Sequence, residues 1–474
     1  MIKIRFNDIF LIPLILLFFP AFCVWILVKP IVIYYITAIC AFIIAFVFFN
    51  GFLSSKLKLL YNLSALKNYK NFALWCILSG IILVIFSDYN IKVFLYYIIT
   101  LLLICYTFTY LLPGLIYDEK SYNIKFFIKL LTVIYYIIFV IALLEFFGKT
   151  FNISYLTWVS QFLGNQNLYK LNYIEVERVR SIFAEPGWLG GFIFINMPII
   201  YGIILSKYRT FKNVYIDSFI KITMIPLMWF TIIVEQSAIW LVFNLILTII
   251  YFRRNIADII KRYFLIVIFA GIILCGIVSS IFLLKNNFNI GLYERIFLFF
   301  QNITNFDDLV TTNHSLGCRL VSYLLSIKVG LKHWLLGVGL GNLQFTIPQY
   351  YSDSALPYVS ELQYNFMKDY MIGRMHYNSA IPYEFFAELG VIGLGLFYWF
   401  IFKTIKILNS VKDSFDEIEN DFLNGLYISL IALPVIIFYD IPVAYYYIWF
   451  MLGLSNLFLL KKQFLNVNNK EQQE

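Results

Sequence analysis

Five arginines on this 474-residue chain could do chemistry with an anion: Arg178, Arg180, Arg295, Arg319 and Arg374. A guanidinium is a rigid, permanently charged fork of donors and matches phosphate oxygens as a lysine ammonium does not. For any one of them a loop ion pair with Glu175, Glu177, Glu294 or Asp369 is the plainer reading, but five together point to an anionic ligand. Candidate proton carriers stand close by. Glu185 precedes Pro186 in the stretch Arg178-Val-Arg-Ser-Ile-Phe-Ala-Glu-Pro-Gly-Trp-Leu-Gly-Gly, where an apolar run begins. It either caps a helix dipole or, held in a low dielectric, has the raised proton affinity that acid–base work needs. His376 lies between Arg374 and Asn378, ahead of Glu384, Glu388, Gly390 and Gly393. A lone loop histidine is commonly an ordinary surface residue; with these neighbours it could take a proton from a sugar hydroxyl near neutral pH.

Another stretch runs from Arg319 through Trp334 to Gly337, Gly339, Gly341 and Asn342. Alternating glycines let a backbone approach a headgroup or a sugar closely. A nucleotide-binding loop is disfavoured, because no strand precedes the glycines and no lysine–serine pair follows. His314, His333 and His376 are too widely spaced for a zinc site, so neither a metal nor another cofactor is expected. The net charge of +9 brings no basic stripe interleaved with exposed aromatics, which argues against nucleic acid as a partner.

These groups need a scaffold, and composition makes it a membrane one. Hydrophobic residues are 61% of the chain and charged residues 13%, with 36 Tyr and 50 Phe. Soluble domains carry roughly 25% charged residues, so no ordinary aqueous surface can be built here. Apolar runs long enough to span a bilayer recur throughout, and they predict helices at 9–28, 31–53, 72–87, 93–116, 126–147, 188–205, 219–234, 238–252, 264–284, 391–408, 423–439 and 442–460. The first run follows Lys3 and Arg5 and reads as a membrane helix rather than a signal peptide, being too long and lacking a small-residue cleavage site. Cys23, Cys40, Cys76, Cys105 and Cys275 sit in apolar runs and Cys318 stands alone in a loop, so no disulfide framework is expected.

Basic residues set the orientation. With a cytoplasmic N-terminus the inner segments collect 23 Lys and Arg, whereas the short outer turns hold only Lys29 and Lys92. Every short loop then obeys the positive-inside rule, and both termini are cytoplasmic. The chain divides into helices one to five (1–147), a first long outer loop (148–187), helices six to nine (188–284), a large outer loop (285–390), and helices ten to twelve with a cytoplasmic tail (391–474). All five candidate arginines fall in the two long outer loops. Arg319 to Trp334 reads as an amphipathic helix lying along the membrane surface, which makes the large loop a small helical cap. The expected fold is all-α, a polytopic bundle of about twelve transmembrane helices in the lipid bilayer.

In this order and these membrane positions the three stretches resemble the O-antigen polymerase and O-antigen ligase superfamily of bacterial membrane glycosyltransferases. The family's arginine-to-proline stretch is matched by Arg180 to Pro186, with Ile182 at its glycine. A serine followed by a small residue fits Ser237-Ala238, and an arginine ahead of Gly-x-Gly-x-Gly-Asn fits Arg319 with Gly337 to Asn342. A His-x-Asn pair before Glu and Gly-x-x-Gly fits His376, Asn378, Glu388, Gly390 and Gly393. The resemblance implies a GT-C-like enzyme of the bacterial inner membrane, with its site on the periplasmic face, working without a metal or a nucleotide sugar. Its substrate would be a glycan on undecaprenyl diphosphate. Arg180 and Arg319 would bind the diphosphate, helped by Arg178, Arg295 and Arg374. Glu185 or His376 would be the base, and Asn378 and the three glycines would contact substrate. A chain-length regulator protein is a further expected partner. Ligases usually carry Asn beside the proline, where this chain has Glu185, which tilts the reading to polymerase over ligase. A flippase is the main reading outside enzymes. It would place ionisable groups near mid-span, whereas the predicted spans hold little charge beyond Glu145 and Glu235 near helix ends.

Overall fold

The computed structural model describes residues 64–87, 89, 91–98, 109, 123–163, 179, 181, 186–206, 209–235, 238–252, 314–352, 380–440 and 446–471. Among the described residues all regular structure is helical: α1 (Ser64–Phe86), α2 (Ile91–Ile98), α3 (Ile124–Phe151), α4 (Ser154–Leu163), α5 (Pro186–Leu205), α6 (Val214–Val234), α7 (Ala238–Phe252), α8 (His314–Lys332), α9 (Leu343–Ser352), α10 (Ile381–Ser410), α11 (Glu417–Asp440) and α12 (Tyr446–Glu471), with a 3-10 turn at Lys412–Ser414. Four of them are long and apolar enough to cross a membrane, at Tyr69–Phe86, Ile124–Phe151, Val214–Val234 and Ile381–Ser410. Leu189–Leu205 and Trp240–Phe252 are shorter apolar helices. This is the makeup of a helical membrane protein. The expected spans 9–28, 31–53 and 264–284, most of 93–116, and the start of 442–460 lie outside the described residues.

Helix ends depart from the hydropathy reading where polar residues cap them. Asn123 starts α3 by accepting the amide of Phe126 at 3.0 Å. Gly148 does not end it; the helix runs on to Asn152, whose left-handed backbone (φ 56°) closes the last turn. The segment expected to form the first long loop therefore opens with the last turn of α3 and then α4. At α6, Asn213 caps the amides of Tyr215 and Ile216, and Asp217 accepts those of Thr210 and Phe211 at 2.7 and 3.1 Å. Polar residues that hydropathy leaves out thus start the helix five residues before 219.

The chain clusters into two compact units, each drawn from separated stretches. In the unit formed by Met1–Tyr34, Leu115–Tyr293 and Ser410–Ala432, buried polar groups find partners inside the apolar interior. Tyr135 donates to Asn196 Oδ1 at 2.6 Å, and Asn196 Nδ2 donates to the Phe192 carbonyl at 2.8 Å. Trp229 Nε1 donates to the Tyr201 hydroxyl, which also meets Thr248, both at 3.2 Å. Backbones of α5 and the first half of α11 touch: a Cβ at Gly202 would strike the Asp421 carbonyl, and one at Gly425 the Pro198 carbonyl. Small residues permit such close approach in membrane bundles.

The other unit, formed by Tyr35–Gly114, Glu294–Asn409 and Leu433–Glu474, holds α1 against α10 through aromatic rings. Phe72 lies 5.6 Å from Phe385 and 5.5 Å from Phe397, centroid to centroid, and Tyr69 lies 5.8 Å from Phe400. Trp449 of α12 meets Phe397 edge-on at 6.0 Å.

Gly425→Ala should lower thermal stability in detergent by about 1–3 kcal/mol, because the added methyl meets backbone that cannot turn aside. Gly395→Ala, with nothing within 4 Å of the new Cβ, should leave the midpoint unchanged. Equal midpoints for the two variants would contradict the close contact of α5 with α11.

Candidate functional site

The geometry around the glycine stretch starts from a break in α10. At Gly390 the backbone (φ 69°, ψ −174°) lies where glycine alone is at ease. Carbonyls just before such a break lose their helical amide partners. Here other donors take them: Val338 N–H on Ala387, Gly339 N–H on Glu388, both at 2.9 Å, and Trp75 Nε1 on Leu389 at 3.0 Å. In return Val391 N–H donates to the Trp334 carbonyl at 2.8 Å. The glycine loop therefore fills the interruption. Contacts on both sides require its glycines: Gly337 abuts the Glu388 carbonyl, Gly339 the Tyr89 ring and Gly341 the Tyr97 ring, all with positive φ.

Glu388 completes the join. Its buried carboxyl accepts the amide of Leu343, the first residue of α9, at 3.2 Å. The first amides of a helix have no partner within it, and this carboxyl oxygen supplies one. Gly337 N–H is on the His333 carbonyl and Asn342 N–H on that of Gly339. Five amides between residues 337 and 343 thus have protein acceptors, supplied by His333, α10 and the loop itself. Gly337, Gly339 and Gly341 contribute close packing here, and the amides of Gly337 and Gly339 are turned to the protein. Tyr89 donates to the Leu340 carbonyl; burial, Glu388 and Tyr97 all push its phenol upward, so it stays a donor.

Arg319 enters through α8. Val321, Leu325 and Val329 form a buried stripe with Leu343, Ile347 and Tyr350 of α9 and Ala387 of α10. The apolar face expected to lie on a membrane surface is thus covered by protein, because α9 and α10 offer a matching apolar face. Arg319 is half-buried, one helical turn before Tyr323, which stacks on Tyr383 at 4.4 Å. That stacking sets the Arg319 turn beside the first turn of α10, which carries Glu384.

In the other unit, the residues on either side of position 180 are tied down. Val179 N–H donates to the Val234 carbonyl at 3.3 Å. Ser181 N–H donates to Glu145 Oε2, and Ser181 Oγ to the Ile138 carbonyl, both at 2.7 Å. Ser181 has φ 53°, a left-handed conformation that costs an L-residue roughly 1–2 kcal/mol. Pro186 opens α5 as expected for a proline at a helix start, and Gly190 lets Trp240 and Glu235 close over that helix.

Of the sequence candidates, Arg319, Gly337, Gly339 and Gly341 are placed, in the unit that also holds Glu384 and Glu388. Arg178, Arg180, Glu185, Arg295, Arg374, His376 and Asn378 lie outside the described residues. Sequence reasoning passed over Trp75, Tyr89, Lys149 and Ser181, and set Glu145 aside. Glu145 did leave a signal, an acid in an apolar span with a lysine four residues on. Trp75 and Tyr89 left none.

Glu388→Leu removes the acceptor of the Leu343 amide and should cost about 1–3 kcal/mol. Glu388→Gln keeps one acceptor oxygen and should cost clearly less. Thermal unfolding of the purified variants checks the order, and a leucine variant as stable as wild type would contradict the join. Comparison with protein-family models, with curated proteins and with solved structures returns no match for this chain.

Proposed function

We propose that this chain is a polymerase of lipid-linked oligosaccharide repeat units, making an O-antigen, a capsule or an exopolysaccharide. It works in the bacterial inner membrane as a GT-C-like bundle of about twelve spans, with both termini cytoplasmic and its site on the periplasmic face. One observation carries most weight. The Arg319–Asn342 stretch and the Glu384–Gly393 stretch, separated in sequence, fold against each other through α8, the glycine loop and the break in α10. Two of the three stretches that carry the resemblance therefore serve one place.

The chemistry is a displacement at an anomeric carbon. A sugar hydroxyl on one repeat unit attacks that carbon, its bond to phosphate oxygen breaks, and undecaprenyl diphosphate leaves. The hydroxyl proton passes to Glu185 or His376. Negative charge on the departing diphosphate falls to Arg180 and Arg319, with Arg178, Arg295 and Arg374 as helpers, where fixed donors act strongly because water is scarce. Asn378 holds the sugar. A ligase would make the same bond with lipid A-core as acceptor; Glu185 beside Pro186 favours the polymerase.

A strain lacking the protein should show surface glycan of a single repeat unit, and wild type should restore the ladder. Arg180→Ala, Arg319→Ala and His376→Ala, at equal membrane abundance, should lose most of it. Long chains accumulating on the lipid carrier would identify a ligase instead, and an unchanged ladder would overturn glycan assembly.

A further inference from the structure

Glu145 is fully buried in α3, within one of the four long apolar helices. A carboxylate there needs a cation and hydrogen-bond donors close by. Lys149 supplies the first, with Nζ 2.6 Å from Oε1. The second comes from far along the chain, the amide of Ser181 at 2.7 Å from Oε2. An exposed ion pair four residues apart on a helix contributes little. This one is buried and also grips a distant backbone.

That grip is over-determined. Ser181 is held left-handed (φ 53°) by its amide on Glu145 and its hydroxyl on Ile138, two turns earlier on α3. On the far side of position 180, Val179 is anchored to Val234 at the end of α6. A sparsely populated backbone conformation persists where the surroundings enforce it, and such sites cluster where ligands are held. Orientation of a binding group is what fixed neighbours supply.

We propose that Glu145 and Lys149 are positioning residues for lipid-diphosphate binding, fixing the backbone at Ser181, while Val234 holds Val179 on the other side of the diphosphate ligand proposed at position 180. This rests on the reading of Arg180 as a diphosphate ligand. The pair acts on donor affinity and leaves the acceptor sugar untouched.

The test is binding of undecaprenyl diphosphate to the purified full-length protein in detergent, with amide exchange followed at residues 179–181. Glu145→Gln, at an unchanged thermal midpoint, should weaken binding about tenfold, the loss expected from one charge-assisted hydrogen bond. It should also speed exchange at Ser181. Ser181→Gly accepts the same φ and keeps the amide donor while losing the hydroxyl anchor. It should weaken binding by a smaller factor, and it decides the matter if Glu145→Gln fails to fold. Wild-type affinity in the variants would overturn the positioning role, even with faster exchange. Wild type binding no better than Arg180→Ala would instead remove the Arg180 assignment, and the proposal with it.

Discussion

A helix that breaks inside a membrane protein must have its freed carbonyls taken by other donors, because lipid offers none. α10 breaks at Gly390, and the rest of its unit is arranged around that need. Amides of Val338 and Gly339 and the indole of Trp75 take the three carbonyls before the break. The loop can come close enough only as glycine at 337, 339 and 341, and it then has to turn straight into α9. Glu388, on the last turn before the break, receives the Leu343 amide at that turn. α8 follows, since the loop begins where α8 ends. The position of Arg319 is thus a consequence of how α10 is repaired.

The other unit solves a similar problem with side-chain carboxylates. Asp217 gathers the backbone ahead of α6 and pairs with Lys221 at 3.6 Å. Glu145 gathers the backbone ahead of α5 and pairs with Lys149. In each case a carboxylate and a lysine one turn apart anchor an irregular segment to a long apolar helix.

Helix interiors were legible in the sequence, because an unbroken apolar run has few alternatives: α7 covers the expected 238–252, and α5 and α6 end at the expected residues. Several helix starts were not, because the first turns carry polar residues that hydropathy leaves out. α1 starts at Ser64 instead of 72, and α10 at Ile381 instead of 391, both through turns that hydropathy assigns to loops. The glycine stretch was legible as a place of close approach. Which residues pack on it was not: the fold brings Glu388, Tyr89 and Tyr97 against the glycines. A contact between residues 251 positions apart, such as Tyr89 on Leu340, leaves no local pattern to read.

Everything proposed for function turns on whether one glycosidic bond is exchanged for another while lipid diphosphate departs. The direct measurement uses the purified protein in liposomes with a lipid-linked repeat unit as the only substrate and no nucleotide sugar. Products are resolved by length, and free undecaprenyl diphosphate is counted against new linkages. The account requires chains of two or more repeats and one lipid diphosphate released for each linkage. Intact lipid-linked units moved across the bilayer, with no bond cleaved, would contradict it and make the protein a transporter.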